Sequence, residues 1–156
     1  MSETPRGSRL WNVAFKVFYR LLRLVEPLVR SALANHAPGL DGVVSLEVPG
    51  RLSGRPRRML VTLLHVGDEW YVGHPNGASP WTRNVDAAGV VKVDPPARHG
   101  SEFRVVRLPR GEERDAVIEA TRAQQPFPAN LIYRAASRHI SAVGVYYRLV
   151  PAGADA

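Results

Sequence analysis

Apolar residues recur along this chain with a spacing that changes several times, and each change marks an element. From Leu10 to Ala34 they return every three or four residues. Ala14, Phe18, Leu21, Val25, Val29 and Ala32 share one face, and Lys16, Arg20, Arg23 and Arg30 share the opposite one. This predicts a long amphipathic helix over residues 10–35, with Val17, Leu22, Leu24 and Leu28 widening its apolar arc. Pro27 is expected to kink or divide it near Glu26, because proline donates no amide and crowds the preceding turn. The polar residues 1–9 are expected to be disordered. Beyond the loop 35–42 the period shortens. Val43–Val48 and Met59–Val66 are short runs rich in Val and Leu and predict strands, the second apolar enough to be central. Gly67-Asp68 turns the chain into a third strand, Glu69–Gly73, as a hairpin with the second. Ser79 caps and Pro80 opens a helix that runs to about Ala88 and stops at Gly89. Strands follow at Val90–Val93, broken by Asp94-Pro95-Pro96, and at Ser101–Leu108. Helices are predicted at Glu112–Ala123, with acids in the first turn where the helix dipole favours them, and at Ala129–Arg138. Ser141–Val150 is the last strand.

This order lacks the β-α-β-α rhythm of a parallel sheet. It predicts an α+β, mainly β domain over residues 43–150: an antiparallel sheet or small barrel with helices packed on it, preceded by the long helix.

Composition narrows the chemistry. The chain has 156 residues, one domain's worth, and a net charge of +7, which favours anionic partners. It has no Cys, which excludes disulfides, thiolate metal sites and a cysteine nucleophile and suits a cytoplasmic location. No apolar run is long enough to span a membrane. The basic amphipathic segment 10–34 offers peripheral contact with anionic lipid on the inner face of the membrane; the alternative is a helix packed across a sheet with its basic side in water. The five histidines are scattered without metal-ligand spacing, so no metal site is expected. No interleaved aromatic and basic motif points to nucleic acid.

The stretch Gly50-Arg51-Leu52-Ser53-Gly54-Arg55-Pro56-Arg57-Arg58 stands out, with four arginines in eight residues between two strands. Guanidinium forks and turn amides are the groups that hold a phosphate or carboxylate. The alternative is a solvated hairpin loop. The loop His74-Pro75-Asn76-Gly77 and the helix start Trp81-Thr82-Arg83-Asn84 follow within about forty residues. If the strands pair as hairpins, the three converge on one rim, suited to a flat, anionic cofactor.

Gly50–Arg57 resembles the GR[KR][ST]GxxR signature of deazaflavin (F420)-dependent nitroreductases, in the flavin/deazaflavin oxidoreductase superfamily. Gly73–Asn84, with its Trp-x-x-Asn helix start, and the ending Gly144-Val145-Tyr146-Tyr147-Arg148-Leu149 are similar to the same family. The resemblance implies a split β-barrel (FMN-binding split-barrel-like). It implies coenzyme F420, with FMN as the alternative, and hydride transfer to a small acceptor of the quinone or nitroaromatic class; a lipophilic acceptor such as a quinone is expected because the leading helix can rest on membrane. It implies that Arg51, Ser53, Gly54, Arg57 and Arg58 hold the phosphate and oligoglutamate tail, that His74, Pro75, Asn76 and Gly77 lie along the ring, and that Trp81 and Asn84 support the loop. Phe127 and Tyr133 correspond to substrate-pocket residues, with Tyr133 a candidate proton donor. Leu52 departs from the pattern, standing where members often carry Lys or Arg. The rival expectation is a non-catalytic split-barrel binder of a fatty acid, flavin or other amphiphile. A monomer or a homodimer is compatible with either.

Overall fold

A computed structural model of the protein describes residues 7–34, 42–97 and 100–153. Along the chain these form α1 (Arg9–Ala34), β1 (Val43–Pro49), β2 (Pro56–Thr62), β3 (Leu64–Val66), β4 (Glu69–His74), α2 (Pro80–Ala88), β5 (Val90–Ala97), β6 (Gly100–Arg107), α3 (Glu112–Gln124), α4 (Ala129–Ala135), α5 (Ser137–Val143) and β7 (Val145–Pro151). The seven strands form one antiparallel sheet in the order β2-β1-β5-β6-β7-β4-β3.

The two ends of that order are neighbours in the chain. β2 and β3 are separated by Leu63 alone, so the strand expected over Met59–Val66 is one run of chain with a bend. Its first part pairs with β1 and its second with β4, which curls the sheet round into a split barrel. At the bend the Leu63 amide leaves the ladder and donates to the Gly42 carbonyl at 2.7 Å, while its side chain enters the interior. Apolar periodicity reports which face is buried and is blind to such a change of partner. The free edge of β3 is covered by Gln124, whose side chain bonds both the amide and the carbonyl of His65 (2.8 and 2.7 Å); covering an edge in this way prevents another chain from pairing with it.

Two cores lie on the two faces of the sheet. The barrel interior holds Val44, Leu46, Val48, Val72, Val91, Val93, Phe103, Tyr147 and Leu149, and α2 adds Val85. On the outer face α3, α4 and α5 pack over Leu64, Tyr71 and Tyr146 with Val117, Ile118, Tyr133 and Ile140. Arg114 of α3 is buried and donates to the carbonyls of Ser141 (3.1 Å) and Gly144 (2.7 Å), clamping α3 to the start of β7.

Four expectations shift. β5 continues through Pro95 and Pro96, because its pairing with β6 changes register between Lys92 and Ala97, and irregular pairing tolerates proline. The segment expected as one helix from Ala129 is two, α4 and α5, and residues 141–143 complete α5, so β7 begins at Val145. α1 is undivided at Pro27; Pro27 and Arg23 are both exposed, so the Arg23 carbonyl deprived of its partner turns to water. The predicted apolar face of α1 is buried only in part: Ala14, Phe18, Val29 and Ala32 on it are half-buried, and the deepest side chain, Phe15, lies off it. Phe15 is fully buried and Trp11, Phe18 and Tyr19 are partly buried, whereas Leu21 and Val25 are exposed. Only the first half of the helix sits on the body. The expected disorder of residues 1–9 falls mostly outside the described residues, and α1 begins at Arg9.

Gly73 faces Tyr146 across the β4–β7 pair, and a Cβ on it would collide with the tyrosine ring. The Gly73→Ala variant is therefore expected to lose about 1–3 kcal/mol by overpacking. For a chain of this length that is a fall in Tm of about 2–4 °C per kcal/mol, measured by calorimetry.

Candidate functional site

The Arg-rich turn is built by its own backbone. The Gly54 amide donates to the Gly50 carbonyl at 2.8 Å and the Gly50 amide to the Arg55 carbonyl at 2.9 Å. Gly54 takes a left-handed conformation (φ 67°), which glycine adopts without steric cost. Ser53 Oγ accepts from the Arg55 amide at 3.3 Å. Among the described residues, the Leu52 and Ser53 amides donate to no protein atom.

Arg51 binds this turn to α2. Asn84 Oδ1 accepts from the Arg51 amide (3.2 Å) and from its Nη1 (3.0 Å), and the same Nη1 donates to the Pro80 carbonyl at 3.3 Å. α2 begins where the sequence signals place it. Ser79 and Thr82 form a reciprocal capping box, Pro80 opens the helix, and Gly89 (φ 69°) closes it. Tyr147 of β7 fixes the helix from below, donating to the Thr82 carbonyl (3.2 Å) and to Asp86 (2.9 Å).

One turn before Asn84, Trp81 meets His74 edge-on, with ring centres 6.0 Å apart. His74 ends β4 and is buried. Its Nδ1 accepts from the Asn76 amide at 3.2 Å, so the ring proton is on Nε2. Burial holds its pKa down to about 4, which keeps the ring neutral. Asn76 Oδ1 accepts from Nε2 of His139 at 2.8 Å, while Asn76 Nδ2 donates to the side chain and carbonyl of Asn12 (3.2 and 3.3 Å). His139 is buried, which lowers its pKa, and its Nδ1 has no partner among the described residues.

α1 lies on top of this loop. The Tyr19 ring stacks on His74 at 5.0 Å and 22°, and the Phe15 ring on His139 at 5.9 Å and 22°. The hydroxyls of Tyr19 and Tyr133 share a hydrogen bond of 3.1 Å. Burial raises the pKa of both, so both stay protonated.

Thus the turn, the loop and the Trp-x-x-Asn helix start do meet, in a line from Arg51 through Asn84 and Trp81 to His74, and Tyr19 of α1 links His74 to Tyr133. Pro75 is buried within the loop, and Gly77 (φ 81°) permits its turn. Arg57 lies opposite Val48 on the interior side of its strand pair, exposed at the rim. Neither Arg55 nor Arg57 has a carboxylate partner among the described residues. Arg58, one residue on, points to the opposite side of the sheet and pairs with Glu47 at 2.6 Å. There it lines a shallow groove of about 330 Å³ with Glu47, Lys92 and Asp94. Phe127 is 78% exposed, whereas Tyr133 is buried. Tyr19, Phe15 and His139 were not among the expected site residues. The signal for the first two was present as Trp11, Phe15 and Tyr19, an aromatic stripe at four-residue spacing.

No family model matches the chain, and no curated protein matches it. Among solved structures it is similar to an F420-H2 dependent reductase, with a TM-score of 0.50 and 19% identity over 69% of this chain and 94% of that one. It is also similar to HutZ, a haem storage protein from Vibrio cholerae, with a TM-score of 0.51 and 15% identity over 81% and 89%. A third, described as a domain-swapped dimer, has a TM-score of 0.50 and 16% identity over 70% and 80%. At such identities the likeness is one of fold, the split barrel.

The low pKa of His74 has a consequence for stability. Its unfolded value is near 6.5, so between about pH 6.5 and 4 the unfolded chain takes up a proton that the folded chain refuses. Stability is therefore full above about pH 6.5 and falls by roughly 3 kcal/mol as the pH drops to about 4, with His139 adding in the same direction. Urea unfolding at pH 7.5 and 4.5 measures the fall, and His74→Gln should flatten it.

Proposed function

We propose that this protein binds a planar, anionic redox cofactor of the deazaflavin class at the barrel rim and acts as an F420-dependent oxidoreductase. The observation that carries the reading is the docked turn. Arg51 spends its hydrogen bonds on Asn84 and α2, which leaves Arg55 and Arg57 as cations without a carboxylate partner among the described residues. The residues present fit a phosphate or carboxylate tail: two guanidinium groups and the turn amides of Leu52 and Ser53, none of them paired among the described residues, and open space around Gly54. Arg58, already neutralised by Glu47 on the other side, stays outside this cradle. The likeness of fold to an F420-H2 dependent reductase supports the same reading.

When bound, a reduced deazaflavin supplies the hydride. The protein's part is orientation, exclusion of water and a proton. Arg57 and Arg55 hold the tail, and Trp81 supports the loop that carries His74 and Asn76. Tyr133, kept protonated by burial, holds a proton at its hydroxyl beside Tyr19, whose ring covers His74. The acceptor class is a small lipophilic quinone or nitroaromatic. The second reading, a binder of flavin or another amphiphile without turnover, is favoured by the haem storage protein among the neighbours of similar fold.

The outward side of α1 supports a peripheral contact with anionic lipid. Leu10, Val13, Val17, Leu21, Leu24 and Leu28 form an exposed stripe at helical spacing, bordered by Lys16, Arg20 and Arg23. No helix among the described residues is long and apolar enough to cross a membrane.

Two measurements test these readings. In a fluorescence titration with F420 and with FMN, Arg57→Ala should weaken F420 binding by about 1.5–3 kcal/mol, the worth of a charge-assisted hydrogen bond. Arg58→Ala should change it little, and equal losses from the two variants would remove the assignment. In co-sedimentation, the protein should pellet with vesicles of phosphatidylglycerol and far less with phosphatidylcholine. Leu24→Glu with Leu28→Glu should abolish pelleting without altering the fold, since both side chains are exposed.

A further inference from the structure

We propose that the first half of α1 is a lid: Trp11 to Tyr19 close the shelf floored by His74 and Asn76, and must lift from it before a planar ligand can lie there. The ligand in this inference is the one assigned above, and the motion has its own test. Tyr19 lies on the His74 ring at 5.0 Å and 22°, and Phe15 lies on His139 at the same angle. These are the position and attitude that a flat ligand would take on the same imidazoles. Side chain and ligand cannot occupy that layer together.

The seat is of a kind that opens. Among the described side chains of α1, Phe15 alone is fully buried, and from Leu21 to Leu28 the apolar side chains are exposed. Its polar ties to the shelf are the Asn12–Asn76 pair and the Tyr19–Tyr133 hydroxyl bond, four groups that water can satisfy equally well. The shelf beneath is polar. Among the described residues His139 Nδ1 is buried there with no partner, a cost that disappears once the helix lifts and water or a ligand reaches the nitrogen. Only the half of α1 nearest Gly7 rests on the body, so this is the end that must lift. That end is seated closely: a Cβ on Gly7 would lie 2.7 Å from Cγ1 of Val143 and 3.0 Å from Nδ1 of His139.

The same proximity supplies the test. The chain has no Cys, so Gly7→Cys with Val143→Cys places a single disulfide that pins that end to α5. Diethyl pyrocarbonate acylates neutral imidazoles that solvent can reach, and peptide mass mapping reads each histidine separately. In the oxidised form His74 and His139 should react at least tenfold more slowly than in the reduced form, with exposed His65 unchanged as the internal standard. Affinity for F420 and FMN should fall at least tenfold on oxidation and return on reduction. Phe15→Ala in the otherwise natural chain should raise the reactivity of His74 and His139 severalfold and leave His65 alone. Equal histidine reactivity in the oxidised and reduced forms overturns the lid, as does equal cofactor affinity. Histidine protection by the disulfide with no cofactor bound by either form upholds the lid and overturns the cofactor reading instead.

Discussion

The β4–β7 pair has no free face, and the rest of the molecule is arranged to suit that. Val145, Tyr147 and Leu149 fill the barrel interior, while Tyr146 between them fills the outer, helical core. Two large rings on opposite faces of one strand leave no room for side chains beside them. Gly73 and Gly144 are the vacancies into which the Tyr146 ring fits. Close packing makes the arrangement unforgiving, because a well-packed interior has no spare volume to redistribute. It also fixes what lies at the end of the pair. β4 leads into His74 and its loop, and Tyr147 holds α2 through Thr82 and Asp86. The rim inherits its rigidity from the strand pair beneath it.

On that rim, one asparagine decides how the positive charge is used. Asn84 captures both the backbone and the guanidinium of Arg51, so the first arginine of the turn is tied to α2, whereas Arg55 and Arg57 have no carboxylate partner among the described residues. Strand alternation then separates Arg57 from its neighbour. Successive side chains on a strand point to opposite faces, and Arg58 finds Glu47 there. A cluster that looks like four equivalent cations in the sequence becomes one strut, two exposed cations and one ion pair.

α1 brings aromatic rings to the same place from a different part of the chain. Its inner stripe, Trp11, Phe15 and Tyr19, covers the imidazoles of His74 and His139, and its outer stripe of Leu and Val stays exposed. The helix has apolar residues over most of its circumference and the body offers a seat for only part of them. A helix of this kind carries two unlike surfaces, one turned to the site and one to whatever lies outside.

Much of this was legible in the chain's own order. The α+β class, the long leading helix, the cap and stop of α2 and the β3–β4 hairpin all follow from local rules, while the convergence of turn, loop and Trp-x-x-Asn helix followed only on the condition that the strands paired. Caps, turns and periodicity are short-range properties, and a sequence states them directly. The closure of the barrel, the face of α1 that is buried, the division of labour among Arg51, Arg57 and Arg58, and the pairing of Tyr19 with Tyr133 were decided elsewhere. Each depends on which distant residue arrives opposite. Leu63 bends the strand because Gly42 is there to take its amide, Arg51 becomes a strut because Asn84 is within reach, and Phe15 is buried because His139 and Tyr133 lie beneath it. Spacing along the chain fixes the elements; only contact between residues remote in sequence assigns their partners.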